Sequence, residues 1–220
     1  MKLRYDLALF DLDGTLTNSS HGIMNGLRAG FRHVGMPVPG SGTLRRFIGP
    51  PLLNMLAELY PQMTRETAAE FVKAYRRYYA RQGAFENEVY PGIPQLLAEL
   101  RRSGRKLAVV TSKPTTPTRR ILDHFGLTEK FDFISAADDS ETGRGKEYLI
   151  RPALVHCGVP AGRTVMIGDT KYDASGARNA GTAFIGVLYG FGSREEMERE
   201  GAKFFTDSVE SLSGSLVDKP

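Results

Sequence analysis

Two aspartates stand one residue apart in Phe10-Asp11-Leu12-Asp13-Gly14-Thr15-Leu16-Thr17, directly after the apolar run Leu7-Ala8-Leu9-Phe10. Like charges that close repel, and neither carboxylate leaves water easily. The pair therefore calls for a positive partner or for chemistry that uses both groups. Two other apolar runs end in polar clusters: Leu107–Val110 in Thr111-Ser112-Lys113, and Thr164–Ile167 in Gly168-Asp169-Thr170-Lys171-Tyr172-Asp173. If these runs are parallel strands, their carboxyl ends bring hydroxyls and carboxylates to one rim, where open α/β sheets collect ligands.

The residue types fit phosphoryl chemistry. A hard divalent cation such as Mg²⁺ takes oxygen ligands, often a carboxylate pair together with substrate phosphate. Asp11, Asp169 and a main-chain carbonyl near Asp13 offer such a set and relieve the repulsion between the paired acids. One carboxylate is then available as a nucleophile toward phosphorus. The other can protonate a leaving alkoxide and later activate water. Gly14 lets the chain turn sharply, so that main-chain N–H groups face the same point. Thr111 and Ser112 offer donors to phosphoryl oxygens. Lys146, in Gly143-Arg144-Gly145-Lys146-Glu147, opens a helical stretch. A cation at that end of a helix dipole costs up to about 1 kcal/mol, which an anion held between the two would offset.

The elements that must position these groups read as alternating strands and helices. Strand-like runs are Tyr5–Phe10, Leu107–Thr111, Phe131–Ser135, Thr164–Ile167 and Thr182–Val187, with Lys203–Thr206 at an edge. They are continuously apolar, as strands covered on both faces are. Helical patterns separate them at Ile93–Arg102, Thr115–Phe125, Glu147–Cys157 and Asp173–Ala180. The expected fold is α/β, a doubly wound parallel sheet. The connection from Phe10 to Leu107 is far longer than a crossover needs. It carries helical patterns at Gly22–Val34, Leu52–Tyr60 and Arg65–Arg81, divided by Gly- and Pro-rich turns. This predicts a helical insertion over residues 16–88, with residues 1–15 and 89–220 forming the sheet domain. The tail Ser211–Pro220 is expected to fray.

Several other classes are excluded by spacing. An EF-hand starting at Asp11 would need a bidentate Glu where Gly22 stands. A P-loop ending at Lys146 would need Gly at Ser140 and Ser or Thr at Glu147, and no G-x-G-x-x-G follows the first strand. Tyr75-Arg76-Arg77-Tyr78-Tyr79-Ala80-Arg81 reads as a helix packed by its tyrosines with arginines in water, not as a nucleic-acid surface. The four histidines form no ligand spacing, and the single Cys157 reads as a packed thiol. A formal charge of +4 spread along 220 residues admits an anionic small molecule without demanding nucleic acid. No apolar stretch approaches the roughly 18 residues of a membrane span, and no signal peptide is evident, so a cytoplasmic setting is expected. Nothing in the sequence separates a monomer from a weak dimer.

Taken in order, these motifs resemble the haloacid-dehalogenase superfamily of phosphohydrolases: Asp11-x-Asp13-Gly14-Thr15, the strand-end Thr111-Ser112, Lys146, and Gly168-Asp169-x-x-x-Asp173. The resemblance implies a Mg²⁺-dependent phosphomonoesterase working through an aspartyl-phosphate on small phosphorylated metabolites. It implies Asp11 as nucleophile and metal ligand, and Asp13 as general acid/base with its main-chain carbonyl on the metal. Thr111 and Lys146 would hold the phosphoryl group, Asp169 the metal, and Asp173 the outer metal shell or Lys146. The insertion resembles the family's helical cap. Asp13 sets the chain apart from true haloacid dehalogenases, and Thr15 from β-phosphoglucomutases, which usually have valine there. Tyr90-Pro91-Gly92 and Thr111-Ser112-Lys113-Pro114 are similar to phosphoglycolate-phosphatase-like proteins, some of them 5′-nucleotidases. Asn18 departs from the aspartate many relatives carry, and the Asp138–Lys146 loop departs from their usual Asp-Gly-Thr-Arg. A phosphosugar mutase and a non-catalytic phospholigand-binding module are the alternatives.

Overall fold

The computed structural model describes residues 5–50, 52–138 and 144–216. Residues 139–143 ahead of Lys146, which include the Ser140 used to dismiss a P-loop and most of the divergent loop, lie outside the described residues. By its contacts the chain divides into two units, one formed by the residues before Ser19 and after Glu88, the other by Ser19–Glu88.

In chain order the elements are β1 (Leu7–Phe10), β2 (Thr17–Asn18), α1 (Ser20–His33), α2 (Ser41–Arg45), α3 (Leu52–Leu59), α4 (Arg65–Tyr78), β3 (Glu88–Val89), α5 (Ile93–Arg102), β4 (Lys106–Pro114), α6 (Thr115–His124), β5 (Phe133–Ala137), α7 (Glu147–Cys157), β6 (Thr164–Gly168), α8 (Lys171–Ala180), β7 (Ala183–Val187), α9 (Arg194–Arg199), β8 (Phe205–Thr206) and α10 (Val209–Leu216). The chain leaves the first unit through β2 and returns through β3.

Six strands of the first unit form one sheet in the order β5-β4-β1-β6-β7-β8, and every pairing in it is parallel. The first strand therefore lies mid-sheet between β4 and β6. Phe10 stands level with Val109 on one side and Ile167 on the other. Strand order reverses direction beside β1, and such a switch point is where a crevice opens at the carboxyl ends. Alternation along β1 sends Leu7 and Leu9 into a core with Ala108, Val110 and Met166, closed by Ile150, Ala153 and Cys157 of α7 and Ala174 and Ala177 of α8. On the other face Phe10 meets Phe131 edge-on, with ring centroids 6.3 Å apart. Cys157 is buried and free, in line with a packed thiol.

The Ser19–Glu88 unit is helical, built around Phe31. The Phe31 ring lies 4.8 Å from Phe71, 5.2 Å from Tyr60 and 6.3 Å from Phe47. Close packing of α1 on α4 depends on Gly30, where a Cβ would come within 2.8 Å of the Phe71 ring. The helix expected to run to Arg81 is α-helical only to Tyr78 and continues to Gly83 as a wider π turn.

One expectation is corrected. Residues 211–216, expected to fray, belong to α10. Val209, Leu212 and Leu216 recur at helical spacing and are all buried, and Ser208 accepts the Ser211 N–H at the helix start. Three apolar anchors outweigh the serine-rich composition that suggested fraying.

Candidate active site

The site lies in the first unit, at the carboxyl ends of β1, β4, β6 and β7. As β1 ends, the Asp11 N–H donates to Ile167 O and the chain folds back on itself, with Leu16 and Thr17 both donating to Leu12 O. Gly14 sits at φ 85, a left-handed backbone that side chains rarely adopt, and a Cβ there would overlap the Asp169 carboxylate. The turn thus serves two ends: it reverses the chain, and it lets the β1 loop press against the β6 carboxylate.

Asp11, Asp169 and Asp173 each place a carboxylate oxygen within 4.8 Å of the others, and all three are buried. Lys146 enters this cluster with its side chain 3 % exposed, 2.9 Å from Asp11 Oδ1 and hydrogen-bonded to Asp173 Oδ1. Asp173 is fully committed: its other oxygen accepts from Thr170 N–H at 2.9 Å and Thr170 Oγ1 at 2.7 Å, the capping box that starts α8. Asp169 accepts the Phe191 N–H on Oδ2 at 2.7 Å and the Thr15 hydroxyl on Oδ1 at 3.2 Å. Asp13 pairs with Lys113, whose Nζ donates to Oδ2 at 2.7 Å, while Asp13 Oδ1 is buried without a hydrogen-bond partner.

Burial sets the electrostatics. It raises the Asp11 carboxyl to about 6; the Lys146 charge opposes the rise, and Asp173 and Asp13 add to it. Asp169 is pushed well above the ordinary carboxylate range by burial and then by Asp173 and Asp11. Burial alone would lower Lys146, but Asp11 and Asp173 outweigh it and hold the ammonium form. With all four carboxylates ionised, the two ammoniums would leave two negative charges in excess, which is the state that burial opposes. A divalent cation would balance them, and oxygen-only donors suit Mg²⁺. The residues present therefore fit such an ion.

Of the residues expected from the sequence, Asp11, Asp13, Lys146, Asp169 and Asp173 come together here. Thr111 is buried at the end of β4, level with Ala136 of β5, and its Oγ1 accepts the Lys113 N–H at 3.2 Å. Ser112 differs: the strand pleat turns it the other way and it is exposed.

The sequence reading missed the loop after β7, Leu188-Tyr189-Gly190-Phe191-Gly192. Its Phe191 N–H holds Asp169, and the Tyr189 hydroxyl donates to Thr15 O at 3.1 Å. Tyr90 donates to Tyr189 O at 3.3 Å, and its ring meets Tyr189 with centroids 4.7 Å apart. Burial, then Asp169 and Asp13, raise the Tyr90 phenol to about 12, so both rings serve as neutral donors. A Cβ on Gly190 would lie 2.5 Å from Asp169 Oδ2 and from Gly14 O. The signal was available: two glycines around an aromatic follow a buried strand, at the same sheet edge as the other three clusters.

Residues 8–187 match the haloacid dehalogenase-like hydrolase family. A 5′-nucleotidase of Pseudomonas aeruginosa is 41 % identical over 195 residues, covering 89 % of this chain and 88 % of that protein. The tyrosine-protein kinase PtkA of Mycobacterium tuberculosis is 36 % identical over 203 residues, covering 92 % and 69 %. Among solved structures, a predicted phosphatase from Clostridium acetobutylicum superposes with a TM-score of 0.88 at 39 % identity, over 96 % of this chain and 97 % of that one. The chain belongs to the haloacid dehalogenase-like hydrolase family, and within it this is a phosphoric monoester hydrolase.

Proposed function

We propose that the protein hydrolyses small phosphomonoesters, of the phosphoglycolate, sugar-phosphate or nucleotide type, through a phosphorylated Asp11. The observation that carries this reading is the buried Asp11 carboxylate, held beside Lys146 and Asp169, with Asp13 two residues further on the same turn. Asp11, Asp169 and the Asp13 main-chain carbonyl would hold Mg²⁺, which would supply positive charge to the transferring phosphoryl group.

The remaining work falls to the chain itself. Lys146 and the Thr111 hydroxyl bind phosphoryl oxygens and orient phosphorus toward Asp11. Asp173 keeps Lys146 in place and caps α8 at the same time. An Asp11 oxygen bonds to phosphorus as the ester oxygen departs with a proton from Asp13. Asp13 then takes a proton from water as that water attacks phospho-Asp11, and inorganic phosphate leaves. Substrate choice is assigned to the Ser19–Glu88 insertion, with a cytoplasmic setting and small metabolites as partners.

The test is phosphate release across phosphorylated acids, sugars and nucleotides, with and without chelator, for the wild type and Asp11→Asn. Turnover should need Mg²⁺ and fall by at least about 10³-fold in Asp11→Asn. Phosphate release that persists undiminished in Asp11→Asn would overturn the reading. Incubation with γ-labelled ATP covers the chemistry named for PtkA: label on tyrosine rather than in free phosphate would replace hydrolysis by kinase action.

A further inference from the structure

We propose that Lys113 is a positioning residue that fixes the orientation of the Asp13 carboxylate, so that one oxygen is spent on the lysine and the other is presented for proton transfer. The proposal rests on the reading of Asp13 as the acid/base group.

Three observations carry it. The Lys113 side chain is only 7 % exposed and its Nζ stands 2.7 Å from Asp13 Oδ2, so this is an enclosed contact between the end of β4 and the turn after the adjacent β1. Asp13 Oδ1 is buried with no hydrogen-bond partner, a costly state for a carboxylate oxygen unless something arrives to use it. The Lys113 backbone is itself anchored. Its N–H donates to Thr111 Oγ1 at 3.2 Å and its carbonyl accepts from the buried Thr118 hydroxyl at 3.3 Å, across a register irregularity between Thr111 and Pro114. Strand alternation sets residue 113 on the same side as the buried Thr111, opposite the exposed Ser112, and from there the ammonium reaches the turn after β1.

The consequence is specific. A carboxylate free to rotate about its two side-chain torsions spends part of its time with neither oxygen in line with the ester. Lys113 removes that freedom without itself touching the reacting atoms. Its effect therefore passes entirely through Asp13 and matters only where the leaving group needs a proton.

The test compares two esters, p-nitrophenyl phosphate, which leaves as a stable phenolate, and glycerol phosphate, which leaves as an alkoxide. Asp13→Asn should lower kcat on glycerol phosphate by about 10²- to 10⁴-fold and on p-nitrophenyl phosphate much less. Lys113→Met should show the same split, losing about tenfold or more on the alkyl ester beyond any loss on the aryl ester, with KM moving less than kcat. Lys113→Arg should restore part of the alkyl activity. In the Asp13→Asn background Lys113→Met should add little, because groups acting as one unit are not additive. Lys113→Gln serves as the second variant if Lys113→Met melts far below the wild type.

An equal loss on both esters, or full additivity with Asp13→Asn, would overturn the proposal. A rise in KM alone would do so too, since it would make Lys113 a binding group. These results differ from failure of the underlying reading, in which the wild type releases phosphate from neither ester or Asp13→Asn shows no leaving-group split.

Discussion

Gly190→Ala adds one methyl group at the most crowded point of the site. The new carbon would stand 2.5 Å from Asp169 Oδ2 and from Gly14 O, and would overlap Asp169 Cβ as well. Ordinary contact distances for such pairs are more than half an ångström longer, so something must move by about 1 Å. The backbone oxygen of Gly14 is held by the turn after β1. The displacement therefore falls on the Tyr189–Gly192 loop or on the Asp169 carboxylate, and either breaks the 2.7 Å hydrogen bond from Phe191 N–H. Overpacking costs about 1–3 kcal/mol, and loss of that bond to a buried carboxylate about 1–3 kcal/mol more. The sum, about 2–6 kcal/mol, corresponds to a fall in Tm of roughly 4–24 °C for a chain of this size. A 1 Å misplacement of Asp169 should also lower kcat by about 10²-fold. Thermal melts and phosphate release with Mg²⁺ read both effects. Gly162→Ala is the control, because a Cβ there meets nothing within 4 Å; it should stay within about 0.5 kcal/mol of the wild type. A Gly190→Ala protein with wild-type melting and turnover would refute the claim that this loop presses on Asp169.

Further outcomes follow from the same cluster. Asp173→Ala strips Lys146 of one buried partner and removes the α8 capping box; it should cost about 3–5 kcal/mol in stability, read by denaturant melts. In chelator, the Asp11 carboxyl, raised from 3.8 to about 6, stays protonated in the folded protein where the unfolded chain has lost its proton. Its contribution to stability is complete below about pH 4 and fades as pH rises through 6, a change of about 3 kcal/mol. Asp11→Asn should flatten that slope in melts taken from pH 4 to 8, and an unaltered slope would contradict the burial argument. Added MgCl₂ should stabilise the wild type at pH 7.5 by about 2.7 kcal/mol at a hundred times Kd, read as a rise in Tm, and do so far less in Asp169→Asn.

Much of this architecture was legible because the strands are buried on both faces. β1, β6 and the Leu107–Val110 stretch of β4 read as apolar runs, each followed at once by polar residues, so strand ends and candidate site announce each other. Asp11 and Asp169 could be grouped before any coordinates for that reason, whereas Lys146, at the start of a helix, joined them through the dipole argument and the family resemblance. What stayed hidden depends on side-chain direction and close approach, which residue type does not encode. The Ser112 hydroxyl and the Lys113 ammonium are neighbours in sequence, yet one is exposed and the other is turned inward across an irregular strand end. Gly190 passes for an ordinary loop glycine until the Gly14 carbonyl is seen beside it. The π turn at Tyr79–Gly83 reflects a local widening that helical periodicity cannot register, and α10 was masked by serines around its three apolar anchors.

The strand order has a consequence for how the molecule is made. β1 is synthesised before the other strands of its sheet, and neither of its neighbours exists until Lys106 and then Thr164 have been added. Throughout that interval a fully apolar strand waits with both edges bare, the condition that invites mispairing between nascent chains. Ser19–Glu88, by contrast, is continuous in sequence and holds its own aromatic cluster, so it is equipped to fold while β1 waits. Phe191, the last contributor to the hold on Asp169, follows that carboxylate by 22 residues, so the site is assembled only after the loop beyond β7 has been synthesised.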